Sequence, residues 1–332
     1  MPFIDKTSIL IENSANQYLN LFELEDNIIC TSIDSHLNNI DSNIIIDGKY
    51  SFIDIWLDID KNENIYGILN NKKGRLENLN ISNSRIKRNT IIKYDYKNFL
   101  IKFTYIKYFK NENHIIYYSI NKNNPYYTYL IHIYKSNNIV KKTRIDFIKY
   151  NILSNFVITY NDNIPTIFYF KLVGSTEELF VSTFDISIYT WSTPIQITNS
   201  KKDKIYLSSI KDNRGNYHIV FAENNSNKYF CKYIGGNIVN NSFSISTEQY
   251  ITKHSMCVFP NLISSYSKIY IQWVEYFDLY TSESSNYGKS WSKPKLNSSV
   301  SDLNFQRYEF RSNNHTYNTT TIFALKDHSI IL

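Results

Sequence analysis

Short stretches of alternating apolar and polar residues recur along the whole chain. The clearest is Lys268–Glu275, where apolar side chains take every second position before a second short alternating stretch follows. This period of two is typical of β-strands with one buried face, whereas the period of 3.6 residues that marks an amphipathic helix does not dominate any segment. The hydrophobic pattern therefore predicts an all-β fold.

A polar turn followed by an apolar strand repeats at a regular spacing. In each copy one residue anchors the start of that strand, and neighbouring anchors lie about 50 to 52 residues apart. The six anchors are Ile65, Ile115, Thr166, Tyr217, Ile269 and Thr319. A further step back reaches Ala15, just before the apolar stretch Gln17–Leu24. Each anchor strand has one apolar strand before it and room for two more after it, so each repeat holds four short strands.

Four strands in about 51 residues is the period of a β-propeller blade. We predict four-stranded antiparallel blades, seven in number, with six as the alternative if residues 1–50 do something else. Neither a linker nor a shift in composition divides the chain, so residues 1–332 are expected to form one domain. The last unit ends after about three strands, and Ser8–Glu12 could supply the fourth by pairing the N-terminal with the C-terminal strands.

The segment Ser284-Ser-Asn-Tyr-Gly-Lys-Ser-Trp291 resembles the Asp-box of the sialidase-like (BNR-repeat) β-propellers, Ser-x-Asp-x-Gly-x-Thr-Trp. Asn286 stands where the motif has Asp, and Ser290 where it has Thr. The resemblance implies a structural hairpin in which Ser284, Asn286 and Gly288 shape the turn and Trp291 packs between blades. A weaker copy runs from Thr183 to Trp191.

Composition narrows the classes of function. Aromatic residues make up 16% of the 332 residues, which favours packed strands, and the net charge of +6 is mild, with short basic pairs scattered along the chain. A nucleic-acid partner is therefore not expected. Three cysteines and the spacing of the histidines suit neither a disulfide framework nor a metal site, so no cofactor or metal is expected. The abundance of Asn, Ile, Lys and Tyr also suggests a low-GC, bacterial coding genome.

The N-terminus lacks the pattern of a signal peptide, and no apolar run is long enough to span a membrane. The expected location is cytoplasmic, or a cell or spore surface reached by a non-classical route.

Polar residues stand six positions after four of the anchors, namely Asn71, Asn121, Glu223 and Glu275. Equivalent strand ends meet at one face of a propeller, so these side chains could form a partial polar ring that suits sugar hydroxyls or a cation. The alternative is that they are solvated strand ends.

The predicted first strands of two repeats carry charged residues, although the inner strand of a propeller blade is normally apolar. Asp54 and Trp56 precede two further aspartates at alternate positions, and Arg307 and Arg311 flank Glu309 in the last unit. These residues predict either a cross-strand network of ion pairs or a clamp for an anionic ligand, because Arg pairs with carboxylates through two parallel hydrogen bonds.

These observations leave three hypotheses about function. The resemblance implies a carboxylate-binding arginine triad, an Arg-Ile-Pro motif and an acid/base set in active members. The triad and that motif are not found in this sequence, and their absence argues against an enzyme. The leading hypothesis is thus a non-catalytic propeller that binds a glycan or a protein partner through one face. The alternatives are a diverged sialidase-like glycoside hydrolase or lyase that uses Asp54, Glu275 and Arg307, and a structural component of a spore or cell coat.

Overall fold

A computed structural model describes residues 3–332 except 49, 51, 83, 84, 138, 253–255, 301, 302 and 315. The described chain is built from β-strands and one short 3-10 helix, Ser298–Val300. It contains no helix that is long and apolar enough to cross a membrane. The all-β prediction is confirmed.

The strands fall into seven successive units that follow the sequence repeat. Unit 1 comprises β1 (Phe3–Glu12), β2 (Tyr18–Leu24), β3 (Asn27–Ile33) and β4 (Asn39–Ile46). Unit 2 comprises β5 (Ile55–Ile59), β6 (Ile65–Asn70), β7 (Arg75–Ser82) and β8 (Arg85–Lys93). Unit 3 comprises β9 (Phe99–Tyr108), β10 (Glu112–Asn121), β11 (Tyr127–Ser136) and β12 (Ile139–Lys149). Unit 4 comprises β13 (Val157–Asn161), β14 (Ile164–Val173), β15 (Thr176–Asp185), β16 (Thr190–Trp191) and β17 (Ile195–Gln196).

The remaining units follow the same order. Unit 5 comprises β18 (Lys204–Lys211), β19 (Tyr217–Asn225), β20 (Lys228–Val239) and β21 (Ser242–Tyr250). Unit 6 comprises β22 (Val258–Ser265), β23 (Lys268–Glu275), β24 (Asp278–Ser284) and β25 (Lys295–Leu296). Unit 7 comprises β26 (Phe305–Ser312), β27 (Tyr317–Asn318) and β28 (Thr321–Leu325).

Units 2, 3 and 5 each form a four-stranded sheet in which neighbouring strands pair antiparallel. Unit 4 adds one short strand to this pattern, and β27 of unit 7 extends the sheet of unit 6 by pairing with β22. Five of the six anchors predicted from the sequence fall at or near the start of a second strand: Ile65, Ile115, Thr166, Tyr217 and Ile269. The sixth lies two residues before β28. The repeat therefore reflects successive strand hairpins.

Units 1 and 7 share one sheet, with the strand order β28-β26-β1-β2-β3-β4. The first strand β1 pairs antiparallel with β2 and parallel with β26, so that Phe3 lies opposite Phe305 and Glu12 opposite Ser312. The seven units thus form six sheets among the described residues. The choice between seven and six blades stays a prediction, because the first and last units are one sheet.

The core lies between neighbouring sheets as well as within them. Clusters of fully buried side chains join adjacent units, for example Tyr118, Tyr169, Tyr233 and Trp273 with the aliphatic residues around them. Aromatic rings fill the wedge between twisted sheets well, because each buries a large area with few rotatable bonds. The high aromatic content is accounted for by this packing.

Two faces follow from the strand order. The hairpin face carries the turns that join the first and second strands of each unit, such as residues 60–64 and 212–216. The entry face carries the opposite ends, where the chain enters each first strand. Several turns have an Asp or Asn that accepts hydrogen bonds from the backbone two and four residues later, as Asp60 does from Asn62 and Asn64 at 2.7 and 2.9 Å. These Asx turns fix the hairpins.

Candidate functional site

A cavity, here called the central channel, lies among the first strands of six units. The first strands of units 2 to 7, which are β5, β9, β13, β18, β22 and β26, surround a cavity of about 810 Å³. Volumes of this size are typical of sites for small ligands. Because every one of these units contributes its innermost strand, the fold itself creates the channel.

Two ion pairs stand in the channel wall near the hairpin face. Lys107 Nζ lies 2.7 Å from Asp58 Oδ2, and the Tyr66 hydroxyl donates to the same oxygen at 3.2 Å. The Asp58 side chain is almost fully buried, so the lysine compensates a carboxylate that water cannot solvate. This aspartate is one of the charges noted on the first strand of unit 2.

The second pair joins Arg311 to Glu309 at 2.8 Å. The guanidinium of Arg311 also donates to the carbonyls of Leu57 and Thr320, at 3.2 and 3.0 Å, and stacks on the Trp56 ring, whose centroid is 3.6 Å away. Arg311 is thus held on several sides. It ties β26 to β5 and presents a fixed positive charge beside the cavity.

A pair of tyrosine hydroxyls adds a neutral polar group to the same wall. Tyr105 donates to Tyr160 over 3.0 Å between the hydroxyl oxygens, and the Tyr105 ring packs on Trp56 at 4.6 Å between centroids. Burial raises the pKa of both hydroxyls well above the ordinary value. Both therefore stay protonated at neutral pH and can donate or accept a hydrogen bond.

Aromatic rings form much of the remaining wall. Tyr206 and Phe259 lie 4.6 Å apart between ring centroids, and the guanidinium of Arg307 sits 4.7 Å from the Phe259 ring. Phe103 reaches the same cavity from unit 3. The channel thus combines flat apolar surfaces with a few fixed polar groups, the combination that recognises a ligand with both apolar faces and hydroxyls.

Of the ligand-binding residues predicted from the sequence, three line the channel: Trp56, Arg307 and Arg311. Asp54 lies just before β5, is buried and pairs with Lys72 at 2.7 Å. It does not line the cavity. The prediction of a cross-strand network is closer to what the structure shows for these charges than the prediction of an open clamp.

The four residues of the predicted polar ring do lie at second-strand ends on the entry face, but none lines the channel. Asn71 and Asn121 accept hydrogen bonds from backbone amides within their own turns, at 2.9 Å from Lys73 and Asn123 respectively. Glu275 accepts from Trp273 Nε1 at 3.4 Å. Each of these three is engaged close to its own strand.

Glu223 belongs to a buried network between units 4 and 5. Its carboxylate accepts hydrogen bonds from Ser200 at 2.6 Å and from Tyr250, and Lys204 Nζ lies 3.7 Å away. Lys204 also pairs with Glu178 at 2.8 Å and is fully buried. Burial alone would raise the pKa of Glu223, but these hydrogen bonds and the nearby lysines lower it. The network is internally satisfied, which suits a structural role.

The Asp-box-like turn lies on the hairpin face, away from the channel. The Ser284 hydroxyl accepts from Gly288 N at 2.9 Å, and Asn286 Oδ1 accepts from Ser290 N at 2.9 Å. Trp291 packs against Tyr233 of the preceding unit, with centroids 4.9 Å apart. These hydrogen bonds and the contact of Trp291 hold the turn against unit 5.

Two buried histidine clusters were not anticipated from the sequence. His114 Nδ1 and His132 Nε2 are 3.0 Å apart, and Trp191 Nε1 donates to His132 Nδ1 at 3.0 Å. In the second cluster His218 Nδ1 meets the Tyr233 hydroxyl at 2.7 Å, beside Trp291. Both clusters stand where a tryptophan after a turn packs on the preceding unit. The described residues contain no group of three or more His, Cys, Asp or Glu side chains suited to a metal ion.

Sequence reasoning also missed Lys107 and Tyr160 as channel residues. Both stand on first strands, at positions that line the cavity. The alternation along those strands divides their residues into two faces. The sequence alone does not say which face points to the channel, because that depends on the direction in which each sheet twists.

The sequence matches no family model and no curated protein. Among solved structures, the chain is similar to a polysaccharide lyase of family PL25, an ulvan lyase bound to -[GlcA(1-4)Rha3S]-, with a TM-score of 0.65 and 8% identity over 98% of this chain and 92% of that one. It is also similar to the polysaccharide lyase Uly1, with a TM-score of 0.53 and 10% identity over 91% and 83% of the two chains. The GH93 α-L-arabinofuranosidase of Fusarium graminearum, solved with arabinobiose, gives 0.51 and 10% over 81% and 92%. At such low identity these similarities establish the β-propeller type of fold.

Proposed function

We propose that the chain binds a carbohydrate in its central channel and does not react on it. The observation that carries this proposal is the channel itself, about 810 Å³ in volume and lined by aromatic rings and fixed polar groups. Aromatic faces pack on the apolar faces of sugar rings, and hydroxyls and paired charges exchange hydrogen bonds with sugar hydroxyls. The neighbours named as acting on, or solved with, saccharides support a glycan ligand rather than a protein partner.

Binding without reaction is supported by the state of the ionisable groups. Asp58 is paired with Lys107, and Glu309 with Arg311. Tyr105 and Tyr160 have raised pKa values and so lack the ionised form that a base needs. A catalytic acid or base works best with a pKa near the working pH. The wall groups described here are arranged to hold one another and a polar ligand.

A second candidate function is a lyase or glycoside hydrolase that acts in the same channel. It is favoured by the two tyrosine hydroxyls 3.0 Å apart in the wall, since a protonated tyrosine can give its proton to a leaving group. The three structural neighbours described above are enzymes by name. The two candidates differ in one measurable respect, which is whether the saccharide is cleaved.

The test is titration calorimetry of the whole chain with a panel of saccharides, including oligosaccharides of the repeat GlcA(1-4)Rha3S and arabinobiose. Tyr160→Phe removes one channel hydroxyl while keeping the ring, and we expect it to weaken binding about tenfold. Tyr134→Phe is the matched control, because its hydroxyl bonds Glu112 outside the channel. Chromatography of the same mixtures detects cleavage.

Binding that Tyr160→Phe weakens, with intact saccharide, supports the proposal. Cleavage products that disappear in Tyr160→Phe would favour the enzyme instead. No binding by any saccharide of the panel, or equal binding by both variants, would argue against a glycan site in the channel.

A further inference from the structure

Three of the channel-lining strands carry the same irregularity. In β9, Phe103 and Thr104 together face the single residue Tyr117 on the neighbouring strand. The same two-against-one arrangement occurs at Tyr206 in β18 and at Phe259 in β22. These are β-bulges, and the first bulged residue is each time aromatic.

The backbone at these residues is left-handed. The φ angles are 51° for Phe103, 60° for Tyr206 and 53° for Phe259. A bulge whose first residue has this conformation normally carries glycine, because a side chain there is crowded by the backbone. Bulky residues at positive φ are outliers, and such strain persists where the surrounding structure or the function demands it.

The side chains show what these bulges accomplish. All three rings line the cavity, and all three are half-buried rather than sealed in the core. Tyr206 and Phe259 are in contact with each other and come from neighbouring units, and Arg307 continues the surface into unit 7. The extra residue of a β-bulge changes the direction in which its side chain points. In these three strands it directs the aromatic side chain into the channel.

We propose that Phe103, Tyr206 and Phe259 form the surface on which the pyranose rings of a saccharide stack. This inference rests on the proposed function and names the residues that position the ligand. Pyranose rings present a flat face of C–H groups, which complements an aromatic ring, while their hydroxyls point outward to Tyr160 and Lys107. A glycine in the same bulge would adopt this backbone conformation without strain, but it would not supply the ring. The need for the ring therefore explains why a strained aromatic residue stands at each position.

The experiment compares glycine and alanine at the two rings in contact. The variants are Tyr206→Gly, Tyr206→Ala, Phe259→Gly and Phe259→Ala, with Tyr126→Ala as a control for an exposed aromatic residue outside the channel. Binding is measured with the saccharide of the panel that the unmodified chain binds, and melting temperature by calorimetry. We expect all four channel variants to lose at least tenfold in affinity. Each glycine variant should melt about 1 to 2 °C above its alanine partner.

The higher melting temperature of the glycine variants, together with lost binding, identifies residues retained for the ligand. Unchanged affinity in the four variants would overturn the inference while leaving the proposed function intact. Glycine variants that melt well below the alanine variants would also overturn it, because the backbone at these two residues would then carry no strain that glycine relieves. A panel in which the unmodified chain binds nothing would remove the proposed function and this inference together.

Discussion

The fully buried Lys204 shows how this fold stabilises a charge inside its core. The ammonium group of Lys204 contacts Glu178 and Ser200, each at 2.8 Å, and donates to two backbone carbonyls. Removing such a charge from water costs several kcal/mol, so it is stable only where every donor is engaged. The same logic applies to Arg311 in the channel wall.

We predict that Lys204→Met lowers the free energy of unfolding by about 3 to 5 kcal/mol, because Glu178 then stays buried without its counter-charge and Glu223 keeps only Lys232, at 3.8 Å. Urea unfolding at pH 7 measures the change. Lys201→Ala, at an exposed lysine three residues earlier, should change stability by less than about 0.5 kcal/mol. A mild effect of Lys204→Met would mean that water reaches the network.

The buried histidines predict a dependence of stability on pH. Burial lowers the pKa of His114 to about 4, against about 6.5 in the unfolded chain, so the unfolded state binds the proton first. The stability that neutral His114 contributes is present above pH 6.5 and is lost as the pH falls towards 4. Lowering the pH from 7.5 to 5 should cost about 2 kcal/mol from this residue.

His114→Gln keeps a donor and an acceptor but cannot take up a proton in this range. We expect urea unfolding of that variant to vary less between pH 7.5 and 5 than that of the unmodified chain. His132 and His218, whose pKa values burial also lowers, keep part of the dependence. Identical slopes for the two proteins would contradict the assignment of His114.

At the residue scale, the sequence identified some candidate residues but not the contacts that they make. Trp56, Arg307 and Arg311 were identified as ligand-binding candidates because the charges on their two first strands contradict the apolar pattern around them. Phe103 and its two counterparts could not be identified, because nothing in an aromatic residue on an aromatic-rich strand indicates a positive φ.

At the scale of elements, the turn after β24 shows why glycine is needed where chain segments meet. Gly288 has φ of 75°, and a Cβ added there would lie 2.0 Å from the Tyr233 hydroxyl of the preceding unit. Two demands therefore coincide at one residue, a left-handed backbone and a close contact between units. The neighbouring hydrogen bonds of Ser284 and Asn286 leave the turn little freedom to move away.

We predict that Gly288→Ala costs more than about 3 kcal/mol, the sum of backbone strain and displacement of Tyr233. Gly174→Ala provides the matched control, because Gly174 has a similar φ of 66° but nothing within 4 Å of the added carbon. Its cost should be about 1 kcal/mol, the strain alone. Equal losses of melting temperature in the two variants would mean that the contact with Tyr233 contributes nothing.

Strand positions were largely predictable, since alternation and turn residues are local properties of the sequence. The anchor Ile269 was predicted to start a strand, and β23 is observed over Lys268–Glu275. Bulges were not predictable because they depend on register with a partner strand, and register is set by packing across units. The Asx turns lay within reach of the sequence, since Asp60 and Asp212 each stand four residues before an Asn.

For the whole molecule, the parallel pairing of β1 with β26 joins residues about 300 positions apart. Leu10 is fully buried in the cluster that this pairing forms with Ile263, Tyr308 and Phe310. Pairing between strands so far apart leaves no signature in the local sequence. The sequence therefore could not indicate which strand Ser8–Glu12 pairs with, and this segment was predicted as a fourth strand of the last unit. In the structure that segment is instead the first strand of unit 1 and lies beside the first strand of unit 7.

We predict that Leu10→Ala lowers the free energy of unfolding by about 2 to 5 kcal/mol, because it opens a cavity where the first and last units meet. Unfolding should remain a single transition, as expected when closure of the ring couples all units. Leu24→Ala, at an exposed leucine of β2, should have an effect below about 0.5 kcal/mol. A separate early transition in Leu10→Ala would show that unit 1 unfolds independently.

The pairing of β1 with β26 also sets an order of events during synthesis. The strand Phe3–Glu12 is synthesised well before its parallel partner Phe305–Ser312, which is made about 300 residues later. At about 5 to 20 residues per second, the first strand waits about 15 to 60 seconds with one edge uncovered. During that interval other nascent chains can pair with the edge before the chain's own partner strand has been made.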